Sequence, residues 1–205
     1  MPGVFNGGMM RHELLLLLVG LAYALIFRLL ALVRREDFSF QFVIEAVVLT
    51  LVGAGLSFLG LLRVDPIVFV LFLYLITMRS RLLVDLANLF ARSGRFRLAD
   101  QAYGWASRLW PDVPGRRVIA MNRGAALILE GRLEEAISLL EGVLASPRLS
   151  PKQTAAAHYN LGVAYRSRGD SHRSVRHLRA AIEALPGSVY ARHAQALLKK
   201  RSGRK

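Results

Sequence analysis

The 205-residue chain is predicted to be all-α: transmembrane helices at the front, then an α-solenoid of three helix-turn-helix repeats and a C-terminal capping helix. Three observations carry this. Apolar runs of bilayer length are confined to residues 1–78. The excess charge is confined to the rest: residues 1–78 hold five basic and five acidic residues, residues 79–205 hold 23 and nine, which accounts for the whole net charge of +14. In that second part Gly94, Gly131 and Gly169 recur at spacings of 37 and 38. A chain with 54% hydrophobic and 20% charged residues is more apolar and less charged than an average soluble domain. Cysteine is absent, which excludes disulfides, thiolate metal sites and cysteine nucleophiles.

After an N-terminal segment (residues 1–13), a membrane domain is expected over 14–78, with helices at about 14–33, 42–62 and 66–78. The first run is interrupted only by Arg28 and covers about 30 Å, the thickness of a hydrocarbon core. Arg34-Arg35-Glu36-Asp37 follow it in place of a small-residue cleavage site, so a retained helix is expected and not a signal peptide. The second run is interrupted only by Glu45. The third opens on Pro66, suited to a first helical turn, and its apolar stretch is about 18 Å long. It reads as a third span if Arg79 and Arg81 reach back to the interface, and otherwise as a re-entrant or buried helix.

With three spans, Arg34 and Arg35 share a side with Arg79, Arg81, Arg92, Arg95 and Arg97, leaving Arg11 and Arg63 opposite. This predicts an integral protein of a bacterial cytoplasmic membrane with its rear part in the cytoplasm. Arg28 and Glu45 fall at similar depth on adjoining antiparallel helices and are candidates for an ion pair, read as a structural clip or as separate snorkelling of each residue in preference to a proton path. Gly53, Gly55, Ser57 and Gly60 give the second helix a small-residue face that permits close packing, including between copies. No Gly or Pro separates Pro66 from Ser93, which predicts one continuous or nearly continuous helix across the junction.

From Arg79 onward the apolar pattern has helical periodicity and no alternating strand pattern. Around each turn glycine lies a helix, the turn, a second helix and a proline. The third unit places Leu161, Gly162, Tyr165, Gly169, Leu178, Ala181 and Pro186; the first Leu86, Ala87, Phe90, Gly94, Ala99, Tyr103, Ala106 and Pro111; the second Gly124, Leu127, Gly131, Ala136 and Leu140. This pattern resembles the tetratricopeptide repeat. Three positions depart from it: Arg123 at a leucine place, Ser174 at a small-alanine place, and Pro147 one place early. The repeats are expected at about 80–113, 117–150 and 155–188 within a domain of 79–200. Residues 189–200 form the cap and 201–205 a basic tail. Small residues such as Ala87, Gly124 and Gly162 would let paired helices approach, with Tyr103, Leu140 and Leu178 filling the space between units.

The resemblance implies a concave groove for an extended or helical partner segment, with Asn88, Arg92, Asn122, Tyr159, Asn160 and Arg166 as its candidate residues. It does not extend to the type of groove that clamps a C-terminal carboxylate, whose key places here hold Val84, Ala156 and Asn160. The basic rear part also suits anionic lipid headgroups, whereas a nucleic-acid platform is disfavoured because Trp105, Trp110, Tyr103 and Phe96 read as repeat core or turn residues. His172 and His177 read as solvated, and Glu134-Glu135 as acids at a helix N-terminus. No phosphate loop, nucleophile elbow or metalloprotease motif is present, so no enzyme and no cofactor is expected. The expected function is a membrane-anchored adaptor that binds a protein or peptide. The alternative is a small transport or channel component whose repeats regulate it.

Overall fold

The computed structural model describes residues 12–33 and 39–202, which form ten helices and no strand. They divide into two compact units, Met1–Arg79 and Ser80–Lys205. Most of the N-terminal segment, the Arg34–Asp37 loop used for the orientation and the end of the basic tail lie outside the described residues.

The first unit contains α1 (His12–Val33), α2 (Phe40–Phe58) and α3 (Pro66–Thr77). Ser39 caps α2, its hydroxyl accepting from the Phe42 N–H, and Asp65 caps α3 through the Ile67 and Val68 N–H groups. Helices α1 and α2 meet where a Cβ on Gly20 would lie 2.2 Å from Thr50 Oγ1; that hydroxyl donates to the Ala46 carbonyl. Gly53 plays the same part against Phe69 of α3. The expected small-residue face is therefore split. Gly53 is spent inside the chain, Gly55 faces open space, and Gly60 lies past the helix at φ +70°, where it ends α2 at Phe58 and not at 62. The outward faces carry exposed Leu18, Leu25, Ile26 and Leu29 on α1 and Ile44, Val48 and Leu51 on α2. By length and composition α1 and α2 can each cross a membrane, while α3, at 12 residues, is by itself shorter than a bilayer span.

Two expectations fail here. The helix is not continuous from Pro66 to Ser93: α3 stops at Thr77, Met78 leaves helical geometry (φ −100°, ψ 5°), and α4 begins at Arg79. Thr77 Oγ1 pairs with the Tyr23 hydroxyl at 2.7 Å, and Arg79 Nη1 donates to the freed Ile76 carbonyl, so tertiary contacts hold a break that no Gly or Pro announces. Nor does Glu45 pair with Arg28. Its carboxylate accepts from Arg79 Nη1 at 2.5 Å, Arg79 Nη2 at 2.8 Å and Gln41 Nε2 at 2.7 Å. Both partners of this ion pair are about a quarter exposed. Truncating Glu45→Ala is expected to cost about 1–3 kcal/mol by removing the carboxylate from a partly buried guanidinium, with part of the loss recovered by the swap Glu45→Arg plus Arg79→Glu. Thermal unfolding in detergent measures both, and an unchanged single variant would show the pair to be idle.

The second unit stacks three hairpins, α4 (Arg79–Arg92) with α5 (Phe96–Arg108), α6 (Val113–Glu130) with α7 (Leu133–Leu144) and α8 (Pro151–Ser167) with α9 (Ser171–Ala184), followed by α10 (Val189–Ser202). Each first helix ends on the same device. Gly94, Gly131 and Gly169 sit at φ +74°, +88° and +90°, and the residue after each donates back five places, to the carbonyls of Phe90, Leu127 and Tyr165. Only glycine takes that conformation without penalty, which fixes the recurrence seen in the sequence. Within hairpins, a Cβ on Gly124 would meet Leu140 at 2.8 Å and one on Gly162 would meet Leu178 at 2.7 Å.

The departures from the repeat pattern have local reasons. Buried Ser174 donates its hydroxyl to the Gly162 carbonyl at 2.8 Å. Arg123, where a leucine was expected, reaches Asp100 of the preceding hairpin at 2.7 Å. After the early Pro147, Arg148 takes φ 58°, and Arg117 donates to the carbonyls of both.

Candidate functional site

The first helices of the hairpins, α4, α6 and α8, together line a cavity of about 280 Å³. Five of the six predicted groove residues border it: Asn88 and Arg92 from α4, Asn122 from α6, Tyr159 and Asn160 from α8. The sixth, Arg166, is exposed near the end of α8 and does not line it. Between the polar groups lies an apolar floor of Ala91, Ala125, Ala126, Ile128, Leu129 and Val163. Leu129 is 62% exposed. Such a cleft can seat apolar side chains of a segment while amides and a guanidinium meet its backbone and any acid.

The three asparagines are not equivalent, which the sequence pattern could not reveal. The Tyr103 hydroxyl donates to Asn88 Oδ1 at 2.5 Å, Asn88 Nδ2 donates to Asn122 Oδ1 at 3.1 Å, and Asn122 Nδ2 donates to the Val118 carbonyl at 2.8 Å. This relay ties the first hairpin to the second. Burial pushes the Tyr103 phenol up to about 12, so it remains a donor throughout the physiological range. Asn88 and Asn122 thus have half of their amide capacity committed to the array. The Asn160 amide makes no hydrogen bond among the described residues, and its donor and acceptor are both open to a ligand. Tyr159 beside it is braced by Tyr190 and His193 of α10, with ring centroids 6.0 and 5.9 Å apart.

His177 overturns its expected solvation. It is only 9% exposed, stacks on Tyr165 at 5.3 Å and shares a hydrogen bond with His158, Nδ1 to Nδ1 at 3.0 Å. Burial lowers both imidazoles, His177 to about 4. Its members lie 19 residues apart on α8 and α9, a separation that an i, i+4 spacing does not reach. His172 is exposed as expected. Glu134 and Glu135 stand in the first turn of α7, and each takes an arginine, Arg168 and Arg132 respectively. Of the residues read as repeat core or turn, Trp105 on α5 and Trp110 in the link to α6 are 57% and 84% exposed and so are not core. Among the described residues no three metal-ligating side chains converge.

Residues 116–186 match the family model described as Tetratricopeptide repeat. The match spans the second and third hairpins, α6 to α9, and leaves the first hairpin outside it. No curated protein and no solved structure matches the chain.

Proposed function

The chain is a tetratricopeptide-repeat protein, and from that premise we propose that it is a non-catalytic adaptor, anchored in a membrane by α1 and α2, that holds a protein partner in the cavity lined by α4, α6 and α8. Repeats of this family act in protein–protein interaction, so the cavity is where a partner is sought. The observation that carries the reading is the Asn160 amide, uncommitted beside the exposed Leu129 and the Arg92 guanidinium. An extended segment satisfies that amide through its backbone and covers Leu129 with an apolar side chain. Anchoring is supported by the apolar outward faces of α1 and α2, which in water would be an aggregation surface. With α1 and α2 as the spans, Arg34 and Arg35 lie on one side and Arg11, Arg63, Arg79, Arg81, Arg92, Arg95 and Arg97 on the other, and this asymmetry favours a cytoplasmic location for the repeats.

The test is affinity purification of the full chain in mild detergent. Asn160→Ala and Leu129→Glu alter only cavity-facing groups and are expected to reduce partner recovery about tenfold each, the effect of roughly 1.4 kcal/mol. Ser138→Ala, on the exposed face of α7, serves as the control. If both variants retain the same partners at wild-type yield, the groove assignment is wrong. Carbonate extraction of membranes checks the anchor, and protease digestion of inside-out vesicles checks the side: repeats that survive digestion there are not cytoplasmic.

A further inference from the structure

The corner between α5 and α6 has a composition the repeat does not require. Counting from the turn glycines, the places of Trp105 and Trp110 are held in the second hairpin by Gly142 and Pro147, and in the third by Ala180 and Leu185. The core of the first hairpin is complete without them, through Ala99, Ala102, Tyr103 and Ala106. Both indoles stand out from the surface, Trp110 at 84% exposure, and Val113 beside them is exposed as well. Trp110 also adopts φ 47°, a region that bulky residues rarely occupy. From residue 105 to 117 the only charged side chains are three arginines, Arg108, Arg116 and Arg117, and Asp112, whose carboxylate caps α6 through the Gly115 N–H. Arg117 is engaged with the Pro147 and Arg148 carbonyls and Arg116 Nη1 donates to the Pro111 carbonyl at 2.9 Å, while the side chains of Arg108 and Arg116 are exposed.

We propose that this Trp105–Trp110–Val113 corner, with Arg108 and Arg116, is a second membrane contact that docks the repeat unit on a bilayer surface bearing anionic headgroups. An indole has an apolar body and one polar N–H, the combination that partitions to the boundary between headgroups and acyl chains. A guanidinium beside it meets lipid phosphate, and each basic residue near an anionic surface contributes on the order of 1 kcal/mol. Charge complementarity selects this occupant over a neutral apolar partner. The inference rests on the membrane reading above, because anchored helices hold such a surface at high effective concentration.

These are the only two tryptophans in the chain, so intrinsic fluorescence reports on the corner alone. Full-length protein is reconstituted into vesicles of phosphatidylcholine, or of phosphatidylcholine with one third phosphatidylglycerol, each with and without brominated acyl chains. Flotation records whether the chain is held. Docking predicts a blue-shifted emission and at least about twofold stronger bromine quenching in the anionic vesicles, reduced by salt and by Arg108→Glu. Trp105→Phe and Trp110→Phe are each expected to retain part of the signal. A chain that floats with both vesicle types yet keeps water-exposed, unquenched emission overturns docking and leaves anchoring intact. Equal quenching in both lipids also overturns it, as proximity without charge recognition. A blue shift in detergent that grows with protein concentration assigns the corner to a second copy instead. Flotation with anionic vesicles alone supports docking and refutes the anchor; flotation with neither refutes both.

Discussion

Gly162→Val is expected to lower the stability of the repeat unit by about 3 kcal/mol, the top of the usual range for overpacking a close-packed core. A Cβ at this position would lie 2.7 Å from Leu178 Cγ and Cδ2 and 3.2 Å from the Leu178 backbone nitrogen. The side chain has nowhere to withdraw, since Leu178 is itself 2% exposed, and the backbone contact means that α8 and α9 must separate. Gly162→Ala keeps the clash but gains about 1 kcal/mol of helix propensity, so a net loss of about 1–2 kcal/mol is expected. The contrast comes from two other helical glycines. A Cβ on Gly104 or Gly142 meets nothing within 4 Å, so Gly104→Ala and Gly142→Ala should each stabilise by about 0.5–1 kcal/mol. Thermal melts followed by helical circular dichroism, at roughly 2–4 °C per kcal/mol for a chain of this size, resolve the opposite signs. Equal shifts for Gly162→Ala and Gly142→Ala would remove the claim that hairpin closeness is set by the glycine.

The small residue at this position was readable from the sequence because helix approach depends on local register, but its partner was not: Leu140 and Leu178, expected to fill the space between units, meet Gly124 and Gly162 of their own hairpins. The turn glycines were readable for the same reason, since a left-handed cap is a property of one residue and its neighbours. Contacts between elements were not. Arg28 and Glu45 were matched by depth, but the rotation of each helix about its axis decides which side chains meet, and Arg79 takes the carboxylate. The same rotation joins Asn88 to Asn122 while leaving the Asn160 amide to the cavity, although Asn122 and Asn160 occupy equivalent places in their repeats. The tryptophans misled in the opposite direction. Large aromatic residues near a repeat turn read as core or turn residues, yet the alanines of α5 already fill that core and both indoles are exposed.

Acidification from about pH 6.5 toward 4 is expected to weaken the third hairpin through His177. In the folded chain burial holds its imidazole neutral down to about 4, against about 6.5 for an unfolded histidine. Above 6.5 neither state is protonated and the full stability is present. As the pH falls below 6.5 the unfolded state takes up a proton that the folded state refuses, and stability declines until the folded group also titrates near 4. At about 1.4 kcal/mol per pH unit the ceiling is about 3 kcal/mol. His158, lowered in the same sense and hydrogen-bonded to His177, titrates together with it. The surrounding charges do not relieve the cost: Arg173 and Arg176 oppose a cation at this point, and the Glu141 carboxylate, which favours one, already accepts from the Tyr165 hydroxyl at 2.7 Å. The measurement is the denaturant midpoint at several pH values for wild type, His177→Phe and His172→Ala. His177→Phe retains a flat ring for Tyr165 and should lose more than half of the pH-dependent decline that separates it from wild type. His172→Ala, altering an exposed imidazole, should follow the wild-type curve. Parallel curves for wild type and His177→Phe would mean that the buried pair is not what makes this hairpin sensitive to acid.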